Sequence, residues 1–208
     1  NVYMHSNYDR VRKFLISKDF KHVQTNREYS CKIKNIDLKK YQPLIKKLKL
    51  FGIDFFDSKE EMKDWPNHYK KLEELTWTYH QDFPIPNGIK HTRTPFEQAM
   101  KIQKDFEENY YGTEIVAVKD GRYIGSTDLE VYYKSEPHKA WTNGLGVLKD
   151  FRRKGIATAL KIKAIEKLIK KGITEIRTDN EENNPMYKIN VSLGFKPVPF
   201  SLEYMKEI

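Results

Sequence analysis

The sequence predicts an α+β fold with a mixed, mostly antiparallel central sheet, and three observations carry this prediction. Asp120-Gly121 separates two strand-like runs, a pattern typical of a hairpin between antiparallel strands. Apolar residues recur at helical spacing before and after this hairpin. The chain then closes with the patterns of a helix, a strand, a helix and a strand, so helices and strands belong to the same domain.

The elements before the hairpin follow from apolar spacing and from turn residues. Helical spacing predicts a helix over 37–49, and the run FGIDFF predicts a strand over 51–56. Two more helices are predicted over 67–81 and 94–109, the second with proline in its first turn. The Pro- and Gly-rich segment between these helices predicts a loop.

The second half predicts most of the sheet. The hairpin covers 114–133, and the run WTNGLGVL predicts another strand over 141–148. A long helix follows from about residue 154 and ends at Gly172. The strand ITEIRTD, a helix that ends at Gly194 and one or two final strands complete the chain.

The composition limits the class of protein. The 208 residues, 38% hydrophobic and 32% charged, suffice for more than one small domain and suit a cytoplasmic protein. No apolar run approaches the roughly 18 residues of a membrane span, so no membrane partner is expected. The single cysteine, Cys31, excludes an internal disulfide and a cysteine-based metal cage, and no histidine pairing indicates a metal. The net charge of +9 comes from dispersed lysines, which favours a basic surface or a phosphorylated small ligand over nucleic acid.

Two segments of the chain resemble each other. Residues 20–33 and 195–208 are identical at six of fourteen positions without a gap, and the likeness continues into the helix-like stretch before each. Coincidence in a chain rich in lysine and aromatic residues is one explanation. The alternative, which we adopt, is that residues 1–35 are the last helix and strand of a preceding, similar domain and that residues 36–208 form the main domain. Because the chain also begins without methionine, we expect a longer gene product.

The stretch DFRRKGIATAL, residues 150–160, opens a helix directly after the strand GLGVL. The first turn of a helix leaves backbone N–H groups without partners and carries a partial positive charge. Gly155 has no side chain to hinder an anion, Ala157 is small, and three cations precede the glycine. The pattern indicates a seat for a pyrophosphate, with a solvated helix start as the alternative.

Other phosphate-binding loops do not fit, because no Gly-Lys-Ser/Thr end is present and Lys149 stands where a dinucleotide fingerprint needs glycine. The spacing Arg-x-x-Gly-x-Ala from Arg152 to Ala157 resembles the signature of the GNAT superfamily of N-acetyltransferases. The strand ITEIRTDN and the helix that closes on Leu-Gly-Phe at 193–195 resemble that family's second motif. The order of elements over about 50–208 agrees, and the tandem arrangement resembles bacterial proteins with two such domains.

The resemblance implies the acyl-CoA N-acyltransferase fold, with about six or seven strands, a splayed pair formed by the fourth and fifth, and helices on both faces. It implies transfer of an acetyl group from acetyl-CoA to a primary amine of a small molecule or peptide, by direct attack in a ternary complex. The backbone N–H of Val147 would polarise the thioester carbonyl. The coenzyme A-binding residues that the resemblance implies are Val147, Leu148, Arg152, Arg153, Lys154, Gly155, Ile156, Ala157, Thr158 and Asn183.

The catalytic residues are less well specified. Many family members carry a proton-donating tyrosine four residues before the glycine of Leu-Gly-Phe, where this chain has Asn190, an amide without a useful pKa. Tyr187 lies one turn earlier and is the substitute donor, unless it belongs to the core. Asp128 and Glu130 lie on one predicted strand, and Glu130 is the candidate general base. Asn143 can only position water.

Acceptor choice is expected in the first two helices and the loop after them. The residues there that we predict to bind the amine are Trp77, Tyr79, Asp82 and Phe83. Core packing is the alternative for Trp77. The identity of the amine, the preferred acyl group and the pairing of two copies into a homodimer are left open. Two competing functions are a non-catalytic acyl-CoA-binding module and an idle half that docks its sibling domain.

Overall fold

The computed structural model of the chain describes residues 1–85, 89–108, 110–181, 184 and 186–206. In chain order its strands are β1 (Val2–His5), β2 (Lys21–Lys32), β3 (Ile53–Asp57), β4 (Tyr111–Lys119), β5 (Arg122–Val131), β6 (Lys139–Val147), β7 (Glu175–Glu181), β8 (Lys196–Pro197) and β9 (Ser201–Met205). The α-helices are α1 (Asp9–Ser17), α2 (Gln42–Leu50), α3 (His68–His80), α4 (Phe96–Glu107), α5 (Ile156–Lys170) and α6 (Tyr187–Ser192).

The residues divide into two compact units. The larger consists of Lys32–Phe83 and His91–Ile176, and the smaller of Asn1–Cys31, Pro84–Lys90 and Arg177–Ile208. Both ends of the chain thus fall in one unit. Compact units follow spatial contacts, whereas the predicted boundary at residue 35 follows a sequence repeat, so that boundary stays a prediction.

The larger unit contains an antiparallel sheet in the order β3-β4-β5-β6. The predicted hairpin between β4 and β5 is confirmed: both Asp120 (φ 48°) and Gly121 (φ 75°) have positive φ. Two such residues in succession give a turn whose twist matches that of the flanking strands. The sheet departs from regularity twice, because β5 and β6 each contain a one-residue register shift.

Helices pack on both faces of this sheet. On one face, α3 buries Leu72, Leu75 and Tyr79 against Val116 and Val118 of β4. On the other face, α5 buries apolar residues along most of its length. Its Leu160 lies so near β5 that a Cβ on Gly125 would come within 3.3 Å of the Leu160 side chain. The predicted arrangement of a sheet with helices on both faces therefore holds within this unit.

The strands of the smaller unit lie in the order β1-β9-β2-β7, with β8 paired to β2. The strand β9 runs antiparallel to both β1 and β2. A small core forms where Leu15 of α1 packs with Met4 and Tyr204. Burial alternates along the first part of β7, where Ile176 and Thr178 are buried and their neighbours are less so, as expected for a sheet with one covered face.

The α+β class and the mostly antiparallel sheet are confirmed, and the described part of 36–208 contains seven strands, within the predicted range. The helix predicted over 37–49 begins only at Gln42, after a 3-10 turn over Leu38–Tyr41. Pro43 lies in the first turn of α2, where its missing N–H leaves no hydrogen bond unmade. The splayed pair involves strands of different units and stays a prediction.

Candidate active site

The start of α5 presents a row of open backbone donors. After β6 the chain makes a 3-10 turn over Lys149–Phe151, and Gly155 (φ 86°) leads into the helix at Ile156. Within the described residues, none of the amides from Arg153 to Thr158 donates to a protein acceptor, and no side chain caps the helix. Unpaired donors at the positive end of a helix dipole are a common site for anions.

Gly155 is required by the fold, through its backbone conformation and its contact with α2. Its φ of 86° lies in the left-handed region, which disfavours residues with a side chain. A Cβ at this position would come within 2.7 Å of a methyl group of Leu44 in α2. The space beside Gly155, which the sequence predicted to be open to an anion, is occupied by the side chain of Leu44.

Two predicted site residues bind each other instead of facing a ligand. The Arg152 guanidinium donates to Asp82 Oδ2 at 2.5 Å and to the Val147 carbonyl at 2.8 Å. Lys149 Nζ lies 3.0 Å from Asp82 Oδ1. Hydrogen bonds from Arg152 and Lys149 lower the pKa of Asp82 below its usual value. A carboxylate neutralised in this way attracts an amine weakly, whereas Arg153 and Lys154 remain exposed cations beside the open amides.

One of the two backbone N–H groups predicted to bind coenzyme A at the end of β6 already has a hydrogen-bond partner in the protein. Leu148 N–H donates to Ile124 O at 2.9 Å, so it is not free for the pantetheine arm. This bond also makes Val147 and Gly125 a non-hydrogen-bonded pair of the antiparallel ladder. The N–H of Val147 therefore points away from β5, as its predicted role requires.

The three aromatic residues predicted to bind the amine, Trp77, Tyr79 and Phe83, do not form a single surface. Tyr79 is 2% exposed, its hydroxyl lies 3.0 Å from Ser126 Oγ, and burial raises its pKa. Its ring covers Gly146 so closely that a Cβ there would come within 2.1 Å of the ring. Phe83 stacks on Tyr79, with ring centroids 5.8 Å apart. Trp77, two residues along the helix, lies on another side of α3 and is half-buried.

Three carboxylates meet in a pocket on the α3 face of the sheet. Asp128 and Glu130 are two residues apart on β5, so their side chains lie on the same face of the sheet. Glu114 of β4 lies directly opposite Asp128. Asn143, the extra residue of the β6 bulge, donates to Glu130 Oε1 at 2.6 Å. Lys59 also lines this pocket, and its positive charge offsets part of the rise that burial causes in the pKa of all three carboxyl groups.

These carboxyl groups titrate near neutral pH. Burial raises the pKa of Asp128 to about 6. Burial and the charge of Asp128 raise the pKa of Glu130 to about 7 and that of Glu114 to about 8. A base with a pKa near the working pH combines a useful ionised fraction with basicity, so the pocket suits proton transfer.

A hydrogen-bonded chain lies behind the carboxylates. His68, 2% exposed, has Nδ1 2.9 Å from the Tyr123 hydroxyl and Nε2 2.8 Å from Ser58 Oγ. Ser58 in turn hydrogen-bonds the Glu114 side chain. Burial lowers the pKa of His68, which favours a neutral ring that donates at one nitrogen and accepts at the other. These linked hydrogen bonds therefore hold the side chain of Glu114 in position.

Of the remaining predicted residues, Tyr187 and Asn190 belong to the smaller unit. Asn190 is 2% exposed and its Nδ2 donates to Asn180 Oδ1 at 2.8 Å. Tyr187 is half-buried at the start of α6. Asn183 lies outside the described residues.

Asn190→Ala is expected to lower the free energy of unfolding by about 1–3 kcal/mol, because the Asn180 amide loses a buried partner. We expect kcat to change by less than about tenfold, because an amide is a poor proton donor. Chemical denaturation and steady-state kinetics measure the two effects. A stably folded variant without turnover would show that Asn190 acts in the reaction.

The described residues contain no group of three or more His, Cys, Asp or Glu side chains arranged to hold a metal ion. No helix among them has both the length and the apolar character needed to cross a membrane.

Comparison with known families identifies the class of protein. The model of the Acetyltransferase (GNAT) family matches residues 69–194, which is more than half of the chain. The chain therefore belongs to the GNAT family of acetyltransferases. The matched range includes β4 to β6, the whole of α5 and Leu193-Gly194 directly after α6. No curated protein matches the sequence.

Solved structures of GNAT proteins share the fold. A tandem GNAT protein from the clavulanic acid biosynthesis pathway, described as without AcCoA, is 17% identical, with a TM-score of 0.61 over 95% of this chain and 59% of its own. A GCN5-related N-acetyltransferase from Sphaerobacter thermophilus is 14% identical, with a TM-score of 0.64 over 99% of this chain and 58% of its own. The chain thus spans about three fifths of the length of these two proteins, and at such identities the likeness shows the fold alone.

Proposed function

We propose that the protein is an acetyl-CoA-dependent N-acetyltransferase that acts on a primary amine of a small molecule or peptide by direct attack in a ternary complex. The observation that carries the proposal is the row of open amides from Arg153 to Thr158. Family membership supports the reaction class. The description of one structural neighbour as without AcCoA agrees with the coenzyme proposed here.

The open amides at the start of α5 suit the diphosphate of coenzyme A. Several N–H groups converge without an internal acceptor, and the helix dipole adds a partial positive charge. Arg153 and Lys154 supply two exposed cations, while Arg152 supports the loop through Asp82. We assign the N–H of Val147 to the thioester carbonyl and keep Asn183 as a proposed coenzyme contact.

When bound, acetyl-CoA supplies the acetyl thioester, and transfer replaces its carbon–sulfur bond by a carbon–nitrogen bond. Glu130 accepts the proton that the attacking amine loses, directly or through a water held by Asn143. Its pKa of about 7 keeps a substantial fraction ionised at neutral pH. Tyr187 is our candidate for returning a proton to the thiolate, because Asn190 is bonded to Asn180.

Calorimetry with coenzyme A and a thiol-release assay with acetyl-CoA and a panel of primary amines test the proposal together. We expect stoichiometric binding of coenzyme A and thiol release that depends on at least one amine. Absence of coenzyme A binding in the folded protein would refute the assignment of the diphosphate to the amides at the start of α5.

The alternative is a non-catalytic acyl-CoA-binding module. The specific observation in its favour is Asn190, which replaces the tyrosine expected from the family and is buried against Asn180. Coenzyme A binding without amine-dependent thiol release across the panel would favour this module over the enzyme. An idle docking half would show neither property.

The pH dependence of the reaction separates the roles of the three carboxylates. Asp128→Asn is expected to move the acid limb of kcat/KM to lower pH by about one unit, because the charge of Asp128 raises the pKa of Glu130. In this variant Glu130 is ionised, and can accept the amine proton, at lower pH. The profile is measured with the most reactive amine of the panel.

Glu114→Gln is the matched control for this shift. With a pKa of about 8, Glu114 is mostly protonated at pH 7, so its replacement removes little charge there and should leave the acid limb in place. Because its folded pKa is raised, Glu114 costs stability as pH rises from the unfolded value through about 8, and Glu114→Gln should flatten that loss. An unmoved limb in Asp128→Asn would contradict the assignment of Glu130 as the base.

A further inference from the structure

The repeated segments of the sequence occupy equivalent places in the smaller unit. At a spacing of 175 positions, β1 corresponds to β7, α1 to α6, and β2 to the pair β8 and β9. The sheet order β1-β9-β2-β7 reads the same from either end under this correspondence. The smaller unit is therefore built from two copies of one strand–helix–strand motif.

The pairing register places an approximate twofold axis between these copies. Asn26 pairs with Ser201, which is its own counterpart 175 positions later. His22 pairs with Tyr204, and Tyr29 pairs with Pro197, so these two pairs exchange under the same correspondence. A chance likeness of sequence would not reproduce the register of the strands.

Burial follows the same symmetry in the shared core. Glu28 and its counterpart Glu203 are 7% and 3% exposed. Leu15 of α1 and its counterpart Asn190 of α6 are 4% and 2% exposed. The two motifs thus present equivalent positions to the interior of the unit.

The symmetry fails on one side of α1. Val11 and Phe14 are 41% and 59% exposed, whereas their counterparts, Met186 at the N-cap of α6 and Ile189 within it, are half-buried. On the strands, Tyr3 of β1 is 63% exposed and its counterpart in β7, Thr178, is 3% exposed. Within the described part of the chain, β1 pairs only with β9, so its other edge presents unpaired backbone groups.

On the other side of α1 and α6, equivalent residues are equally exposed, which provides a reference for the difference at Val11 and Phe14. Ile16 and its counterpart Val191 are 53% and 51% exposed. Equal exposure here shows that α1 is not simply a more exposed helix. The excess exposure is confined to the side of Val11 and Phe14 and to β1, and an apolar helix side next to an open sheet edge is typical of a missing interface.

We propose that this surface, formed by Val11, Phe14 and the free edge of β1, docks a second acetyltransferase-type α/β layer that precedes this one in the same polypeptide. Residues 1–33 are then the closing strand–helix–strand of that preceding domain. The partner layer presents an apolar helix to α1 and a strand to β1. This inference depends on the internal symmetry and not on the proposed catalytic activity.

The order of elements favours a preceding domain over a second copy of this chain. The strand β7 begins at Glu175, shortly after α5 ends at Lys170. By the 175-position correspondence, the helix that matches α5 would end a few positions before Val2. In a second copy, α5 is already followed by its own β7 and α6, so its layer has a strand–helix–strand motif of its own.

Cysteine labelling tests the surface. Phe14→Cys is prepared in the 208-residue chain and in the full-length gene product and is treated with a maleimide probe. We expect labelling in the full-length protein to be slower by about tenfold or more, because the side chain is covered there. Val191→Cys is the matched control and should react rapidly in both forms. Native Cys31, 3% exposed, should contribute little.

Amide exchange provides a second measurement that needs no substitution. The N–H groups of β1 should exchange more slowly in the full-length protein than in the 208-residue chain. Equal labelling and equal exchange in the two forms would overturn the proposal, as would a gene product that begins at Asn1. Protection that increases with protein concentration would assign the surface to a second copy and would also overturn it.

Discussion

Replacing Glu130 with glutamine is expected to lower kcat/KM for the amine acceptor by about 100-fold, because the reaction loses the group that takes the amine proton. The substitution preserves the size of the side chain and its acceptance of the hydrogen bond from Asn143. The Kd for coenzyme A should change little, because Glu130 lies on β5 and not at the start of α5. Thiol release and calorimetry measure these two quantities.

The control for Glu130→Gln is Glu97→Gln, which neutralises an exposed carboxylate in the first turn of α4. This variant should retain the kinetics of the unmodified protein. If Glu130→Gln keeps its activity, the general base must be sought in Asp128 or in an acceptor that reacts in its neutral form. An equal fall in both variants would indicate a general electrostatic effect of charge removal.

Thr158→Glu is expected to weaken coenzyme A binding by about tenfold or more, because it places a negative charge among the N–H groups proposed to hold the diphosphate. Thr158 is half-buried in the first turn of α5. A negative side chain in the first turn interacts favourably with the positive end of the helix dipole, so the fold should be retained. Calorimetry with coenzyme A measures the loss of affinity.

Thr158→Gln is the matched control, because it adds similar bulk without charge and should bind coenzyme A with nearly unchanged affinity. Gly155→Glu is a poorer test of the same seat. Its φ of 86° and the contact with Leu44 would disturb the fold together with the ligand. Equal affinities of Thr158→Glu and Thr158→Gln would contradict a diphosphate at this helix end.

The sequence predicted the elements where local signals are strong. The Asp120-Gly121 turn specified the hairpin of β4 and β5, since both positions adopt the positive φ that these residues tolerate. The apolar stripe and the glycine at each end predicted α5, which runs over Ile156–Lys170. The open amides at its start followed from the same local information, because a helix start without a capping side chain leaves its donors unpaired.

The pairing of Glu114 with Asp128 depended on the sheet and not on local signals. Counting regularly from the Asp120-Gly121 turn would place Thr127 opposite Glu114, on the α3 face of the sheet. A register shift, with Ile124 as the extra residue of β5, brings Asp128 opposite Glu114 instead. No sequence pattern marks such a shift, because it depends on how the strands pack.

By itself, the sequence determined the α+β class, the order of most elements, the GNAT motifs and the uncapped start of α5. Only the tertiary structure decided that Asp82 neutralises Arg152, that Tyr79 lies in the core and that the bulged residue Asn143 hydrogen-bonds Glu130. The physical reason is the range of the interactions. Helix starts and tight turns are set by neighbouring residues, whereas carboxylate pairs and buried rings are set by contacts between segments distant in sequence.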